Sequence, residues 1–154
     1  MNEIRILQSI SHPNIVRMEG YFEDSRNIHL ILELSTDGSL YTRIKAGGID
    51  NSAVVVPKIL WDVCQAVNYL HTLNPPIVHR DIKPENLLFF GEKIKLADFG
   101  SCNFVTDIIK DTVCGTPEYL APEMILRKGH NEKLDIWCIG ILAYELYFGY
   151  TPFS

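Results

Sequence analysis

The stretch that decides the fold is His79-Arg80-Asp81-Ile82-Lys83-Pro84-Glu85-Asn86, which Asp98-Phe99-Gly100 follows further along the chain. Two short apolar runs lie between these motifs, at residues 87–90 and 94–97, and they flank Gly91-Glu92. Apolar runs on either side of such a turn predict a small β-hairpin. The first motif therefore lies in the loop before this hairpin, and the second follows its last strand.

The segments around this hairpin carry the periodicity of helices. In residues 58–73 the apolar positions from Leu60 to Leu70 recur at three- and four-residue steps, which predicts an amphipathic helix. Residues 133–148 are apolar on nearly every side. They predict a second helix that is buried in the middle of the domain.

The N-terminal part predicts a short helix and an antiparallel pair of strands. The helix covers residues 2–10 and ends before Pro13, because proline disfavours helix in the residue that precedes it. The strands cover residues 15–22 and 28–34 and flank a turn-forming segment. In the second strand every other residue is isoleucine or leucine, which predicts one buried face. These residues are Ile28, Leu30, Leu32 and Leu34.

Composition limits the classes of function. The chain has 154 residues with 14 basic and 19 acidic side chains, for a formal net charge of −5. An acidic chain lacks the basic stripe that sequence-independent binding to nucleic acid requires, so we expect no nucleic-acid partner. The four cysteines form no C-x-x-C pair, which argues against a zinc module or a secreted disulfide scaffold.

Two further features bear on location. The first residues carry charge where a signal peptide needs an apolar run. The longest apolar stretch, residues 136–148, is too short to span a membrane and contains Glu145. We therefore expect an intracellular protein, in the cytoplasm, the nucleus or both, with no membrane partner.

Four motifs together resemble the protein kinase family. The two motifs quoted above match its H-R-D-x-x-x-x-N catalytic loop and its metal-binding D-F-G. Residues 115–123, which read Gly-Thr-Pro-Glu-Tyr-Leu-Ala-Pro-Glu, resemble the end of its activation segment. Residues 135–140 resemble the D-x-W-x-x-G start of the central helix in its large lobe. The resemblance covers essentially the whole chain.

The resemblance implies a role for each polar residue of the loop. Asp81 would accept or orient the proton of the substrate hydroxyl, and Lys83 would place a positive charge near the transferred phosphate. Asn86 and Asp98 would hold Mg²⁺ through hard oxygen ligands. The implied cofactors are therefore ATP and Mg²⁺. The implied partners are protein substrates with a serine or threonine acceptor, and the family also admits an activating protein partner.

Other residues receive structural roles from the same resemblance. Asp135 would bond backbone amides near His79 and Arg80 and so anchor the catalytic loop. His79 and Phe99 would pack in an internal hydrophobic stack, together with Leu7 and Met18.

The nucleotide pocket and its surroundings are implied in the same way. Glu33, Ser35 and Leu88 would lie at the nucleotide and the hinge. Glu3 resembles the glutamate of helix αC, which forms an ion pair in active kinases, and no partner for it is visible in the sequence.

The activation loop offers a candidate switch. Thr112 is where many related kinases carry an activating phosphate, and Arg80 would bind that phosphate through charge-assisted hydrogen bonds. The alternative is an unmodified surface threonine, because residues 109–111 supply no strong basic recognition motif. Thr116 would lie in the substrate-docking part of the same loop.

The branch of the family follows from smaller features. Lys83, followed by Pro84-Glu85, and Thr116 resemble the serine/threonine branch. Residues 114–116 and 130–137 are similar to Aurora-type kinases. Ser101 and Ala121 depart from the Aurora pattern, which usually has tryptophan and often proline there. Glu85 would favour basic residues near the phosphoacceptor.

The expected fold is α+β and protein-kinase-like but incomplete. Residues 1–34 would be a remnant of the small lobe with a helix and antiparallel strands, residues 35–38 the hinge or linker, and residues 39–154 part of a mainly helical large lobe. No glycine-rich loop and no V-A-I-K lysine precede Glu3. We therefore expect this chain by itself to bind ATP weakly or not at all.

Two main functional hypotheses remain open at this stage. The leading one is a truncated catalytic domain of an active serine/threonine protein kinase, because the four polar residues of the site are all present. The alternative is a catalytically inactive kinase-like fragment that acts as a binding or regulatory module. A fragment with no independent function is a third hypothesis.

Overall fold

The computed structural model describes residues 2–47, 49, 54–107, 115–129 and 131–153. Within these ranges the helices are α1 (Asn2–Ser9), α2 (Leu40–Lys45), α3 (Val55–Thr72), α4 (Pro122–Ile125) and α5 (Lys133–Phe148). The strands are β1 (Met18–Glu23), β2 (Ile28–Leu32), β3 (Ile77–Val78), β4 (Leu87–Phe90), β5 (Lys93–Leu96) and β6 (Asn103–Phe104). They form three antiparallel pairs, β1–β2, β3–β6 and β4–β5. The predicted α+β class and the predicted β4–β5 hairpin are confirmed.

Helix α3 lies at the centre of the core. Its buried face contains Val63, Val67 and Leu70, which belong to the predicted apolar face, whereas Leu60 is half-buried. The helix contacts β5 and α5. Each fully buried aliphatic side chain contributes about 1.5–3 kcal/mol, so this face fixes how the helix packs. Among the described residues, no helix is both long and apolar enough to cross a membrane.

Helix α5 has the predicted bounds but not the predicted burial. Its buried apolar residues, such as Leu134 and Leu142, lie on one side, whereas Ile136 and Phe148 are 57% and 59% exposed. The prediction of burial on every side was wrong. Periodicity reports where apolar residues stand on a helix, whereas burial requires a neighbouring element on each side.

The β1–β2 hairpin is confirmed, and its predicted buried face is not. The register runs from the pair Glu23–Ile28 to the pair Met18–Leu32. Ile28 and Leu32 are 40% and 39% exposed, and Leu34, which follows the strand, is 81% exposed. Leu30 is half-buried. In the part of the chain that the structure describes, this sheet has two strands. The alternation predicted a buried face, and of its four residues only Leu30 packs against the core.

Backbone bonds connect the N-terminal part to the β4–β5 hairpin. Val16 N–H donates to Leu96 O at 2.9 Å, and Leu96 N–H donates to Asn14 O at 2.9 Å. Phe89 N–H donates to Gly38 O at 2.9 Å. The hairpin therefore lies between the segment before β1 and the segment after β2, and it positions the loops at its ends.

Candidate active site

The loop before β4 brings the predicted catalytic residues together. Lys83 Nζ lies 2.9 Å from Asp81 Oδ2 and donates to Thr116 Oγ1 at 2.8 Å. The Thr116 hydroxyl donates to Asp81 Oδ1 at 3.3 Å. Asn86 Nδ2 donates to Asp81 O at 2.8 Å and to Asp81 Oδ2 at 3.0 Å. Both oxygens of the Asp81 carboxylate therefore have donors, which fixes the orientation of the side chain.

The surroundings of Asp81 combine restricted access with positive charge. Its side chain is 11% exposed and that of Lys83 is 21% exposed. Hydrogen bonds from charged donors are shorter and stronger than neutral ones. A hydroxyl that approaches Asp81 through the remaining opening would meet an acceptor already held in place, beside an ammonium group.

Asp135, at the start of α5, binds the backbone of the predicted catalytic loop. Its carboxylate is fully buried and accepts His79 N–H at 2.9 Å and Arg80 N–H at 2.8 Å. His71 Nε2, at the end of α3, lies 2.8 Å from the same carboxylate. Arg80 has a φ of 69°, in the left-handed region that non-glycine residues rarely adopt. The bonds from Asp135 stabilise this backbone, as predicted from the resemblance.

His79 is a packing residue. It is fully buried, and its ring meets the Phe99 ring edge-on with the centroids 5.0 Å apart. His79 Nε2 lies 3.1 Å from Ala97 O, and complete burial lowers the pKa of His79. A neutral imidazole that donates to a carbonyl suits a structural role. Leu7 is buried in the same hydrophobic core, and Met18 packs against it.

A second loop places Asp98 next to Asn86. Ala97 N–H donates to Asn86 O at 2.8 Å, which joins the two motifs directly. Asp98 is exposed and has a φ of 59°, whereas the following Phe99 is buried. This left-handed backbone directs consecutive side chains differently, so the carboxylate faces solvent while the ring enters the core.

The residues at this junction fit Mg²⁺. The Asn86 Nδ2 group donates to Asp81, which leaves the amide oxygen Oδ1 as the atom that could bind a metal. Asp98 adds a carboxylate. Among the described residues, no group of three or more histidine, cysteine, aspartate or glutamate side chains is arranged for a metal. A site with one amide and one carboxylate suits Mg²⁺, which usually keeps several waters and binds substrate phosphates.

Glu3 faces this junction from α1. A side chain at Gly100 would begin 3.2 Å from Asp98 Oδ1 and 3.8 Å from Glu3 Oε2, so the two carboxylates share this space. Partial burial, and secondly the negative charge of Asp98, raise the pKa of Glu3. Within the described residues, Glu3 forms no ion pair. Its predicted ion-pair role in a helix αC remains a prediction.

We expect Glu3→Gln to stabilise the chain at pH 7, because a neutral amide avoids the cost of burying a charge and the repulsion from Asp98. The gain should be only a few tenths of a kcal/mol, because solvent screens this half-buried group. A raised pKa means that the folded state favours protonated Glu3. Its stabilising effect is present below the ordinary glutamate pKa and is lost as pH rises through the folded value. Urea unfolding at pH 4 and pH 7 measures the change. The gain should appear at pH 7 and vanish at pH 4, whereas Glu23→Gln on the exposed end of β1 should show neither. A variant less stable than wild type at pH 7 would contradict the raised pKa.

The predicted phosphate-binding residues are only partly described. Arg80 is 9% exposed, and its Nε donates to Ser101 O at 2.6 Å. Thr112 lies outside the described residues. Gly115 has a φ of 106°, and a side chain there would begin 3.0 Å from Arg80 O. Glycine at this position allows the activation segment to pass close to the catalytic loop and to bring Thr116 to Lys83.

The predicted nucleotide residues lie around the β4–β5 hairpin. Leu88 is half-buried on the face of β4 opposite the buried Leu87 and Phe89. Ser35 Oγ–H donates to Phe89 O at 2.6 Å. Glu33 follows β2, and its carboxylate bonds Lys95 on β5. The three residues therefore share one region of the fold.

Sequence reasoning missed Lys95 and His71. Alternation with the buried Ile94 and Leu96 places Lys95 on the other face of β5, which is a weak signal. Its partner Glu33 is 62 positions away. His71 and its partner Asp135 are separated by 64 positions. No local pattern predicts either pair.

Comparisons with known proteins show the family of the chain. The family model described as the protein kinase domain matches residues 1–154. The chain is 41% identical over 156 residues to a calcium/calmodulin-dependent protein kinase type 1 of Macrobrachium nipponense, with 99% of this chain and 44% of that protein covered. It is 40% identical over 154 residues to an Aurora kinase of Eremothecium gossypii, with 99% and 41% covered. An Aurora kinase B-A of Xenopus laevis is 42% identical over 154 residues, with 99% and 42% covered.

The fold and the candidate site place the loop that carries Asp81 and Asn86 directly against the segment that carries Asp98. The chain belongs to the protein kinase family. It spans less than half the length of these three relatives. The predicted similarity to Aurora kinases is confirmed, and calcium/calmodulin-dependent kinases match at similar identity.

Proposed function

We propose that this chain forms part of the catalytic domain of a serine/threonine protein kinase. Such an enzyme transfers the terminal phosphoryl group of ATP to a serine or threonine hydroxyl of a protein substrate. The observation that carries the proposal is the Asp81 carboxylate, which Lys83, Thr116 and Asn86 hold in place. The backbone carbonyl of Asn86 in turn accepts the N–H of Ala97, the residue before the exposed Asp98. Phosphoryl transfer needs positioning and charge stabilisation more than covalent help, and this arrangement supplies both.

The residues of the chain divide the work. Asp81 orients the acceptor hydroxyl and takes up its proton, while Lys83 holds positive charge beside it. Asn86 and Asp98 hold Mg²⁺, which neutralises phosphate charge when it is bound. Glu33, Ser35 and Leu88 hold the nucleotide at the hinge, residues 35–38. Residues 1–34 belong to the small lobe and residues 39–154 to the large lobe.

The choice of serine or threonine is supported by Thr116. Its hydroxyl bridges Lys83 and Asp81 and thereby narrows the space in which the acceptor hydroxyl must lie. Glu85 is exposed on the one-turn 3₁₀ helix Pro84–Asn86 of the catalytic loop. Its charge favours substrates with basic residues near the acceptor. The proposal also includes an activating protein partner and phosphorylation of Thr112, with Arg80 binding the phosphate. The protein would act in the cytoplasm or the nucleus.

The direct test is phosphate transfer by the full-length protein. Labelled ATP with Mg²⁺ is incubated with a peptide that carries one serine among arginines, and with matched peptides carrying tyrosine or alanine at that position. The proposal expects label in the serine peptide only. Nucleotide binding without transfer to any peptide or protein substrate would favour the binding-module alternative.

We expect Asp98→Asn to remove most of the Mg²⁺ dependence of ATP affinity. The amide keeps the shape of the side chain and loses the charge that a divalent cation requires. Calorimetric titration of the full-length protein with ATP, with and without Mg²⁺, measures the difference. Asp24→Asn, in the exposed turn between β1 and β2, should leave that dependence as in wild type. An Asp98→Asn protein with unchanged Mg²⁺ dependence would remove Asp98 from the metal site.

A further inference from the structure

An ion pair joins Glu33, which follows β2, to the β4–β5 hairpin. Lys95 Nζ lies 2.7 Å from each carboxylate oxygen of Glu33, and both side chains are 17% exposed. Lys95 Nζ also lies 4.5 Å from the centre of the Phe90 ring. Of the ion pairs within the described ranges, this one alone connects residues 2–34 to residues beyond 38.

Glu33 is bound from three directions. Its backbone N–H donates to Arg17 O at 2.9 Å, and its Oε1 accepts Arg17 N–H at 2.7 Å. Lys95 supplies the third contact. Burial by itself would raise the pKa of Glu33, but the bonds from Lys95 and from the Arg17 backbone outweigh it and lower the pKa. The Glu33 carboxylate therefore stays charged at neutral pH, and its bonds to Lys95 weaken only as pH falls through the lowered pKa of Glu33.

Lys95 also lies next to the hairpin side of the proposed nucleotide site, which is the side that Leu88 forms. In the β4–β5 register Lys95 is the partner of Leu88. The next residue on β4, Phe89, accepts the Ser35 hydroxyl at 2.6 Å. Lys95 therefore bonds Glu33 directly, is paired with Leu88 across the hairpin, and lies one position from the residue that accepts the Ser35 hydroxyl. Moving Glu33 relative to Leu88 requires this ion pair to break.

We propose that Lys95 is a positioning residue for the nucleotide. Its ion pair with Glu33 fixes the distance between Glu33 on the hinge side of the site and Leu88 on the hairpin side. This inference rests on the proposed function, because it assumes that a nucleotide binds between these residues. A preformed site binds more tightly, since ordering of the protein does not oppose binding. Lys95 itself does not contact the reacting atoms.

The test compares Lys95→Met and Lys95→Arg with wild type in the full-length protein. Lys95→Met should raise the Kd and KM for Mg·ATP roughly three- to tenfold, the range expected for a lost charge-assisted contact. Its kcat should stay within about twofold, because Asp81 and its partners are untouched. Lys95→Arg keeps the charge and should restore the wild-type Kd. Hydrogen exchange of residues 33–38 without nucleotide should be faster in Lys95→Met than in wild type.

A double-mutant cycle and a matched control sharpen the result. Glu33→Gln should raise the Kd as Lys95→Met does, and the double variant should be no worse than either alone. Lys58→Met removes another lysine–glutamate pair, whose 2.8 Å contact with Glu92 lies at the exposed turn of the same hairpin. It should leave Kd and exchange unchanged. If Lys95→Met does not fold, Lys95→Gln supplies the same comparison, because it also removes the charge at residue 95 and leaves Glu33 in place.

The outcomes separate the two proposals. A wild-type protein that binds no nucleotide would overturn the proposed function together with this inference. If the wild-type protein binds nucleotide and the Kd of Lys95→Met or Glu33→Gln is unchanged, the inference alone would be overturned. Additive effects in the double variant would also overturn it, because the two residues would then act separately. A lower Tm without a change in Kd would reduce Lys95 to a structural role.

Discussion

Asp81→Asn is expected to lower the rate of phosphoryl transfer by about 10²–10⁴-fold, the range that a positioned general base contributes. The substitution keeps the size of the side chain and removes its capacity to take up a proton. It also introduces an amide N–H donor that faces groups which themselves donate to Asp81. The Lys83 ammonium, the Thr116 hydroxyl and Asn86 Nδ2 all approach this carboxylate. An amide has one acceptor oxygen, so at least one of these donors loses its partner.

The measurement is kcat and KM with the serine peptide, together with the Tm of each variant. The Asp81→Asn protein should stay folded and bind Mg·ATP with nearly the wild-type Kd, because Asp81 is not a proposed metal ligand. The matched control is Asp24→Asn, which changes an exposed aspartate of the β1–β2 turn and should keep the wild-type rate. A folded Asp81→Asn protein that transfers phosphate at the wild-type rate would show that Asp81 is not the base.

The sequence predicted the loops of the site better than it predicted burial. The catalytic loop and the Asp98 motif are short, and their order around a hairpin is encoded by local turns and apolar runs. The bounds of α5 were also predictable, because a helix begins and ends through local signals. Its burial was not, since Ile136 and Phe148 are apolar and yet exposed. Whether an apolar side chain is covered depends on other elements of the fold.

The same distinction applies to the polar contacts. The approach of Asn86 to Asp81 spans five positions within one loop, so the motif itself implied it. The approach of Lys95 to Glu33 spans 62 positions and needs the relative placement of two hairpins. Neither residue has an unusual sequence context, and a lysine on a strand usually reads as a solvated side chain. Such pairs emerge only when the tertiary structure is available.

Asp135→Ala is expected to lower the free energy of unfolding by about 3–5 kcal/mol, as removal of one partner from a buried charged network does. The carboxylate is fully buried and binds three donors, which are the backbone N–H groups of His79 and Arg80 and the ring of His71. Alanine supplies no acceptor, and the N–H groups of His79 and Arg80 would lose their partner in the buried interior. The left-handed backbone of Arg80, which costs about 1–3 kcal/mol, would lose the contact that holds it.

Urea unfolding followed by circular dichroism measures this loss of stability. Asp135→Asn tests whether a side chain of the same shape can replace the carboxylate. An asparagine keeps one acceptor oxygen and turns an amide toward the remaining donors, so it should be about as destabilising as alanine despite its shape. Glu132→Ala removes a carboxylate one turn earlier whose side chain makes no cap bond, and it should change stability by less than about 0.5 kcal/mol. His71→Gln should fall between these limits, because it affects one of the three contacts.

The activity of the same variants separates stability from positioning. If Asp135 holds the catalytic loop, the fraction of Asp135→Asn protein that remains folded at low temperature should show a lowered kcat with little change in the Kd for Mg·ATP. The reason is that the loop carries Asp81, whereas the proposed nucleotide site is held on its hinge side by the Glu33–Lys95 ion pair. An Asp135→Ala protein within 1 kcal/mol of wild type and fully active would mean that the loop keeps its left-handed turn without the carboxylate. The hydrogen bonds of Asn86 and Lys83 to Asp81 would then have to be the bonds that fix it.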